Sequence, residues 1–285
     1  MNCELLETKI MDLKKYISPG GWFSLQYPAA WSEFEDETDC FLFYNPEKWD
    51  GNFRISAYKD RSSSYARESI TAELKRSEQV KMKKVGRWDC AYSCETFMEG
   101  NEAYTSHFWV TGEGNVSVEC SFTVLKGSPI EIAEQILSTL EIRQDGRRYP
   151  KECIPVRVLE VNEINQAYDW ASSYIKKALK KDFTASERDL AHMQTVMDSG
   201  KLSPRQCEAW QALGLTFGTV LVNEMDGMEW VTVIDGKQEY PALRFADTDL
   251  LVCPLNIFAS QVARGETCNV KKEFERIKKE VEERL

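Results

Sequence analysis

The sequence predicts an α+β fold: an N-terminal antiparallel sheet with helices packed on it, then a C-terminal, mainly helical domain with a small β-hairpin sheet. Three observations predict it. In the first half apolar and polar residues alternate, most plainly where Val116, Val118, Cys120, Phe122 and Val124 face one way and Ser117, Glu119, Ser121 and Thr123 the other. Past Pro155 the spacing becomes helical, with Val161, Ile164, Tyr168, Ala171, Ile175 and Ala178 on one stripe. Between the two lies Gln144-Asp145-Gly146-Arg147-Arg148-Tyr149-Pro150, a polar run holding both Gly and Pro, which reads as a boundary. A chain of 285 residues suits two domains, since each commonly takes ~100–200 residues.

The elements follow in order. Residues 1–17 read as a leader, with a helix over Glu4 to Tyr16 that Pro19-Gly20-Gly21 breaks. Trp22 to Tyr27, Cys40 to Tyr44 and Phe53 to Lys59 carry strand patterns. A helix over Ser64 to Gln79 has Ser63 or Ser64 as its cap. Three long strands come next: Arg87 to Met98, Ala103 to Thr111 and Asn115 to Leu125, joined by Gly-containing turns. Ser128-Pro129 opens a helix whose stripe is Ile130, Ala133, Ile136, Leu137 and Leu140. The first domain is thus set at 18–143, a linker at 144–155 and the second domain at 156–285. In the second, helices are expected over Ser186 to Met197, from Ser203-Pro204 through Leu213, and from Pro254 to Gly265. Glu229 to Ile234 and Tyr240 to Phe245 form a hairpin about Asp235-Gly236. Val270, Phe274, Ile277 and Val281 mark a last amphipathic helix.

Charge and composition narrow the function. The net charge is −10, and neither half is basic: 18 basic and 24 acidic residues precede Tyr149. A nucleic-acid partner needs a basic stripe to displace counterions, and Lys81, Lys83, Lys84 and Arg87 read better as charges on a sheet edge. No secretory leader and no run of ~18 apolar residues stands out, so a cytoplasmic protein without membrane contact is expected. Nine scattered cysteines, an odd number, fit reduced side chains serving as small hydrophobes.

The residues that could carry catalytic or metal chemistry are few and scattered. Cys90 and Cys94 lie four apart in a predicted strand, ~13 Å between Cα atoms, too far for a shared zinc ion or a disulfide. His107 and His192 have no second histidine at ligand spacing. Gly112-Glu113-Gly114 reads as a hairpin turn rather than a phosphate loop. The acidic run Glu33, Glu35, Asp36, Glu37 and Asp39 lacks the order of a calcium loop and reads as a solvated loop. Gly214-x-x-x-Gly218 permits close helix packing. No cofactor, metal or catalytic residue is therefore assigned. Trp31, Trp49 and Trp109 sit near turns or on the less certain face of their strands, and Trp230 lies beside Asp235 and Arg244 at a turn-rich edge; the binding candidates taken from these are Trp31, Trp49, Trp230, Asp235 and Arg244.

The run Trp22-Phe23-Ser24-Leu25-Gln26-Tyr27-Pro28, followed by Trp31, resembles the opening of the PsbP-like superfamily. The resemblance spans roughly residues 18–143 and implies a sandwich around an antiparallel sheet. It brings no shared catalytic residues, and members of the superfamily mostly bind other proteins. The second half, through Leu213-Gly214, Gly218, Trp230, Asp235-Gly236, Pro254 and Arg264-Gly265-Glu266, resembles an uncharacterised domain of Bacteroidetes-type bacterial proteins. The expected function is a non-catalytic, protein-binding or adaptor role with another protein as partner. The alternatives are an immunity-type protein that covers a toxin's active site, and an enzyme whose Cys–His or acidic site assembles in the second domain or the inter-domain cleft.

Overall fold

The structure, a computed structural model, describes residues 12–37, 40–144 and 146–285. It is α+β and forms two compact units, one ending at Arg148 and the other starting at Tyr149.

The first unit contains β1 (Leu13–Ile17), β2 (Phe23–Pro28), β3 (Ser32–Glu37), β4 (Cys40–Tyr44), β5 (Asn52–Lys59), α1 (Tyr65–Arg76), β6 (Lys81–Val85), β7 (Trp88–Glu99), β8 (Glu102–Glu113), β9 (Val116–Leu125), α2 (Glu131–Ser138) and β10 (Glu141–Ile142). Seven strands make one antiparallel sheet in the order β3-β4-β5-β9-β8-β7-β6, and β1-β2-β10 make a small second sheet. The hairpin-linked order follows from the glycines: Gly100 and Gly114 take positive φ at the β7–β8 and β8–β9 turns, where a side chain would be strained. Phe43, Phe53, Trp109 and Phe122 are fully buried between the sheets and α2. Each such ring stabilises the fold by ~1.5–3 kcal/mol on transfer from water.

Several elements differ from the sequence pattern. The expected leader helix lies, for residues 4–11, outside the described residues. Its remainder is β1, because Tyr16 and Ile17 are buried and the segment pairs with β2 from Leu13↔Pro28 to Ile17↔Ser24. The acidic run expected as a loop forms the edge strand β3 as far as Glu37, paired to β4, while Asp39 lies outside the described residues. Charges on an edge strand keep other sheets from adding to it. The basic run Lys81 to Val85, by contrast, is where its lysines were read to be, in a strand, β6, at the opposite sheet edge. The helix after Ser128-Pro129 starts only at Glu131, with Ile130 rather than Ser128 at its cap position. Trp109, expected near a turn, is wholly in the core.

The second unit contains β11 (Glu152–Pro155), α3 (Val158–Leu179), α4 (Leu190–Asp198), α5 (Cys207–Glu224), β12 (Met228–Asp235), β13 (Gln238–Phe245), β14 (Leu251–Val252), α6 (Pro254–Ala263) and α7 (Val270–Glu282). The expected hairpin, β12–β13, is flanked by β11 and β14 in a four-stranded sheet. Residues 152–155, expected as linker, are thus a strand paired to β12. The third helix of this unit runs eleven residues beyond Leu213, to Glu224. Its glycines let Pro254 and Trp230 approach closely: a Cβ on Gly214 would stand 2.2 Å from the Pro254 carbonyl oxygen, and one on Gly218 2.6 Å from the Trp230 ring. Leu213, Phe217, Val220, Phe258, Phe274 and Ile277 form the centre of this core.

Candidate functional site

The strongest candidate is a cleft in the first unit, with a volume near 950 Å³, at the sheet end where the β4–β5 loop meets α2. Three local structures build it. After β2 the chain turns at Pro28, and the Trp31 N–H donates to the Pro28 carbonyl at 2.9 Å. The Ala29 N–H donates to the Asp12 carbonyl at 2.8 Å, which brings Asp12 to the rim. The β4–β5 loop folds on Asn45, whose Oδ1 accepts from the N–H of Glu47 (3.0 Å) and Lys48 (3.3 Å). Gly51 closes that loop at φ +125°, where a Cβ would stand 2.3 Å from the Phe122 ring. The third wall is the end of β9, Val124 and Leu125, with Pro129 and Ile132 of the α2 region.

The lining is mostly apolar. Trp31 is buried in its wall, whereas Trp49 leaves 43% of its surface exposed at the rim. The Trp49 indole is not loose: its Nε1–H donates to Asn52 Oδ1 at 3.1 Å, and the ring meets Tyr104 edge-on at 5.6 Å. Around it stand Asp12, Asp50 and Glu131, with Lys48 as the single cation of the lining. An apolar hollow with a held aromatic ring and an acidic rim is suited to receiving an apolar group that carries positive charge nearby.

The sequence candidates divide between the units. Trp31 and Trp49 come together in this cleft; Trp230, Asp235 and Arg244 belong to the second unit and do not form one site there. Trp230 packs on α5 at Gly218. Arg244 pairs across the hairpin with Glu229, Nη2 to Oε1 at 2.7 Å, and this register puts both on the sheet face opposite Trp230. Asp235 is exposed at the hairpin end, six residues from Glu229, or ~20 Å along the strand. Asp12, Lys48 and Tyr104 went unrecognised in the sequence. Only Tyr104 had a readable signal: it opens an aromatic-rich strand.

Other polar clusters are explained by structure. Asp189 accepts from the backbone N–H of Thr184 (2.8 Å) and Ser186 (3.2 Å) and from the Thr184 hydroxyl (2.9 Å), with His192 Nδ1 3.0 Å from its other oxygen. Burial pushes its carboxyl up, and these hydrogen bonds outweigh it, holding the group below the usual range. His107 lies opposite Cys94 across β7–β8, and its Nδ1 is 2.7 Å from the Tyr92 hydroxyl. Burial, then the Lys83 charge, lowers its pKa. Cys94 is exposed rather than packed as a core hydrophobe, and so are Cys153 and Cys207, whereas burial pushes the Cys90 thiol up to about 11. Among the described residues no group of three or more His, Cys, Asp or Glu side chains is placed to hold a metal ion. No described helix is long and apolar enough to cross a membrane.

Two families match the chain. The one described as Domain of unknown function (DUF3805) matches residues 11–165, and the one described as Domain of unknown function (DUF3806) matches residues 189–274. No curated protein matches it. A crystal structure from Bacteroides thetaiotaomicron is similar throughout: TM-score 0.89 and 48% identity, over 92% of this chain and 97% of that one. The solution structure of cyanobacterial PsbP (CyanoP) from Synechocystis gives a TM-score of 0.26 at 10% identity, over 50% of this chain and 98% of that one. The crystal structure of LpqN, involved in cell envelope biogenesis of Mycobacterium tuberculosis, gives 0.29 at 8%, over 48% and 88%.

Proposed function

From the premise that the chain belongs to the DUF3805 family, we propose that it is a non-catalytic protein-binding module whose first unit takes an apolar group of a partner protein into the Trp31–Trp49 cleft. One observation carries this reading. A tryptophan ring is held at the rim of a largely apolar hollow while nearly half its surface stays exposed. Exposing a large ring to water costs free energy that burial against a partner returns, and tryptophans so placed are common anchors of binding energy. The PsbP-like reading of the first unit belongs to the same proposal. It is supported by the Trp22-to-Trp31 motif and the hairpin order. The 48% identity to the Bacteroides protein supports the Bacteroidetes-type reading of the second. A cytoplasmic place is supported by the odd, scattered cysteines.

The test is photo-crosslinking from the cleft. Lys48, at the rim, is replaced by p-benzoylphenylalanine, and in a control chain Lys75 on α1 is replaced instead. Irradiation in native lysate is expected to give a discrete protein adduct from position 48 and none from position 75. Identical adducts from both positions, or none from either, would refute the reading.

A further inference from the structure

The cleft does not end at Trp49. The same indole borders a second, shallower hollow on the outer face of the seven-stranded sheet, where Phe97, Tyr104, Glu95 and Glu99 also lie. The register explains the grouping. Phe97 stands opposite Tyr104, Glu95 opposite Ser106 and Glu99 opposite Glu102, so these side chains share one face. α1 covers that face at the far end of the strands only: the Ala66 N–H donates to the Gly114 carbonyl, and a Cβ on Gly112 would touch Ala66. From Val110, opposite Ala91, to Tyr104 is six residues, or ~20 Å of strand. The near end is therefore open to solvent.

The open end carries a row of rings flanked by carboxylates. Phe97 stacks on Tyr104 with centroids 5.8 Å apart and planes 24° apart, and Tyr104 meets Trp49 edge-on. Phe97 is 40% exposed. Glu95 and Glu99 flank it along β7, and neither pairs with a cation among the described residues. Glu102 is occupied, accepting from the Tyr104 hydroxyl at 2.8 Å. Arg54 lines the same face and is itself engaged.

We propose that the Glu95–Phe97–Glu99 strip, with Tyr104 and Trp49, recognises Arg or Lys side chains of the partner segment whose apolar group enters the cleft. The inference rests on the protein-binding reading and adds the partner's chemistry to it. Ring faces attract cations through their quadrupole, and Arg in particular stacks on them. Carboxylates on either side of a ring hold the same cation by charge and hydrogen bonds. The cleft rim is acidic too, so one segment that is apolar at its centre and basic at its flanks satisfies both hollows. An acidic segment or a nucleic acid would be repelled by both.

The experiment uses the full chain and three capped synthetic peptides with one Leu-Phe centre. Their flanks are four Arg, four Gln or four Glu. Binding is measured by Trp fluorescence and calorimetry for the wild type, Glu95→Gln/Glu99→Gln, Phe97→Ala and the cleft-filling Ala30→Trp. The Arg peptide is expected to bind most tightly. The double Gln variant and Phe97→Ala are each expected to weaken it about twofold to fivefold, the range of one exposed cation–ring or charge contact. Ala30→Trp is expected to remove binding. Equal affinity for the Arg and Gln peptides, or an unchanged double Gln variant, overturns the strip while Ala30→Trp sensitivity preserves the cleft. Insensitivity to Ala30→Trp, or no binding of any peptide, overturns the cleft reading and the strip with it.

Discussion

Arg157 is 1% exposed and carries a full charge, so its partners decide whether the second unit tolerates it. Glu160 supplies two oxygens, one 3.0 Å from Nε and the other on Nη2, and Glu239 accepts from Nη2 at 2.8 Å. Thr232 joins this group from β12: its hydroxyl donates to Glu160 at 3.1 Å and accepts from the Arg157 N–H at 3.2 Å. Removing one member strands a buried charge. Arg157→Ala is expected to cost about 3–5 kcal/mol by denaturant unfolding, and Arg157→Met/Glu160→Met to recover most of it. Asp189 gives a pH-dependent counterpart. Its folded pKa lies below its unfolded value, so its contribution is complete above pH ~4 and is lost as pH falls through the folded value. Asp189→Asn is therefore expected to lose about 1–3 kcal/mol near neutrality, with the gap in melting temperature closing in acid. An equal gap at every pH would contradict this.

At the scale of the element, α5 is the sharpest case. Gly214 faces a backbone carbonyl that cannot swing aside, so Gly214→Ala is expected to destabilise by about 1–3 kcal/mol or more, although alanine favours helices. A stabilised variant in urea unfolding would mean that α5 and α6 pack otherwise. The Gly-x-x-x-Gly spacing made this contact legible, and the strict alternation in β9 did the same for the sheet centre. Edge strands were harder to see. Leu13 to Ile17 and the acidic Ser32 to Glu37 carry little apolar periodicity, and only pairing with β2 and β4 makes them strands; the lysines of Lys81 to Val85 did mark a sheet edge. The cleft was half legible for a related reason. Trp31 and Trp49 stand out near turns, whereas Phe97 and Tyr104 become neighbours of Trp49 only through the β7–β8 register and the fold of the β4–β5 loop.

At the scale of the whole molecule, each unit has its own core. One centres on Phe43, Phe53, Trp109 and Phe122, the other on Leu213, Phe217, Phe258 and Phe274. Fragments 1–148 and 149–285 are accordingly expected to fold separately, each with a cooperative melt by circular dichroism. A fragment that stays unfolded would show that its core needs the other half. The binding role assigned to the first unit is tested most directly by proton–nitrogen correlation NMR of the eight tryptophan indoles in the full chain, titrated with the Arg-flanked apolar peptide. The Trp49 signal is expected to shift most and Trp31 with it, while Trp170, Trp210 and Trp230 stay in place. No shift at any indole, or shifts centred on those three residues of the second unit, would contradict a binding cleft at Trp31 and Trp49.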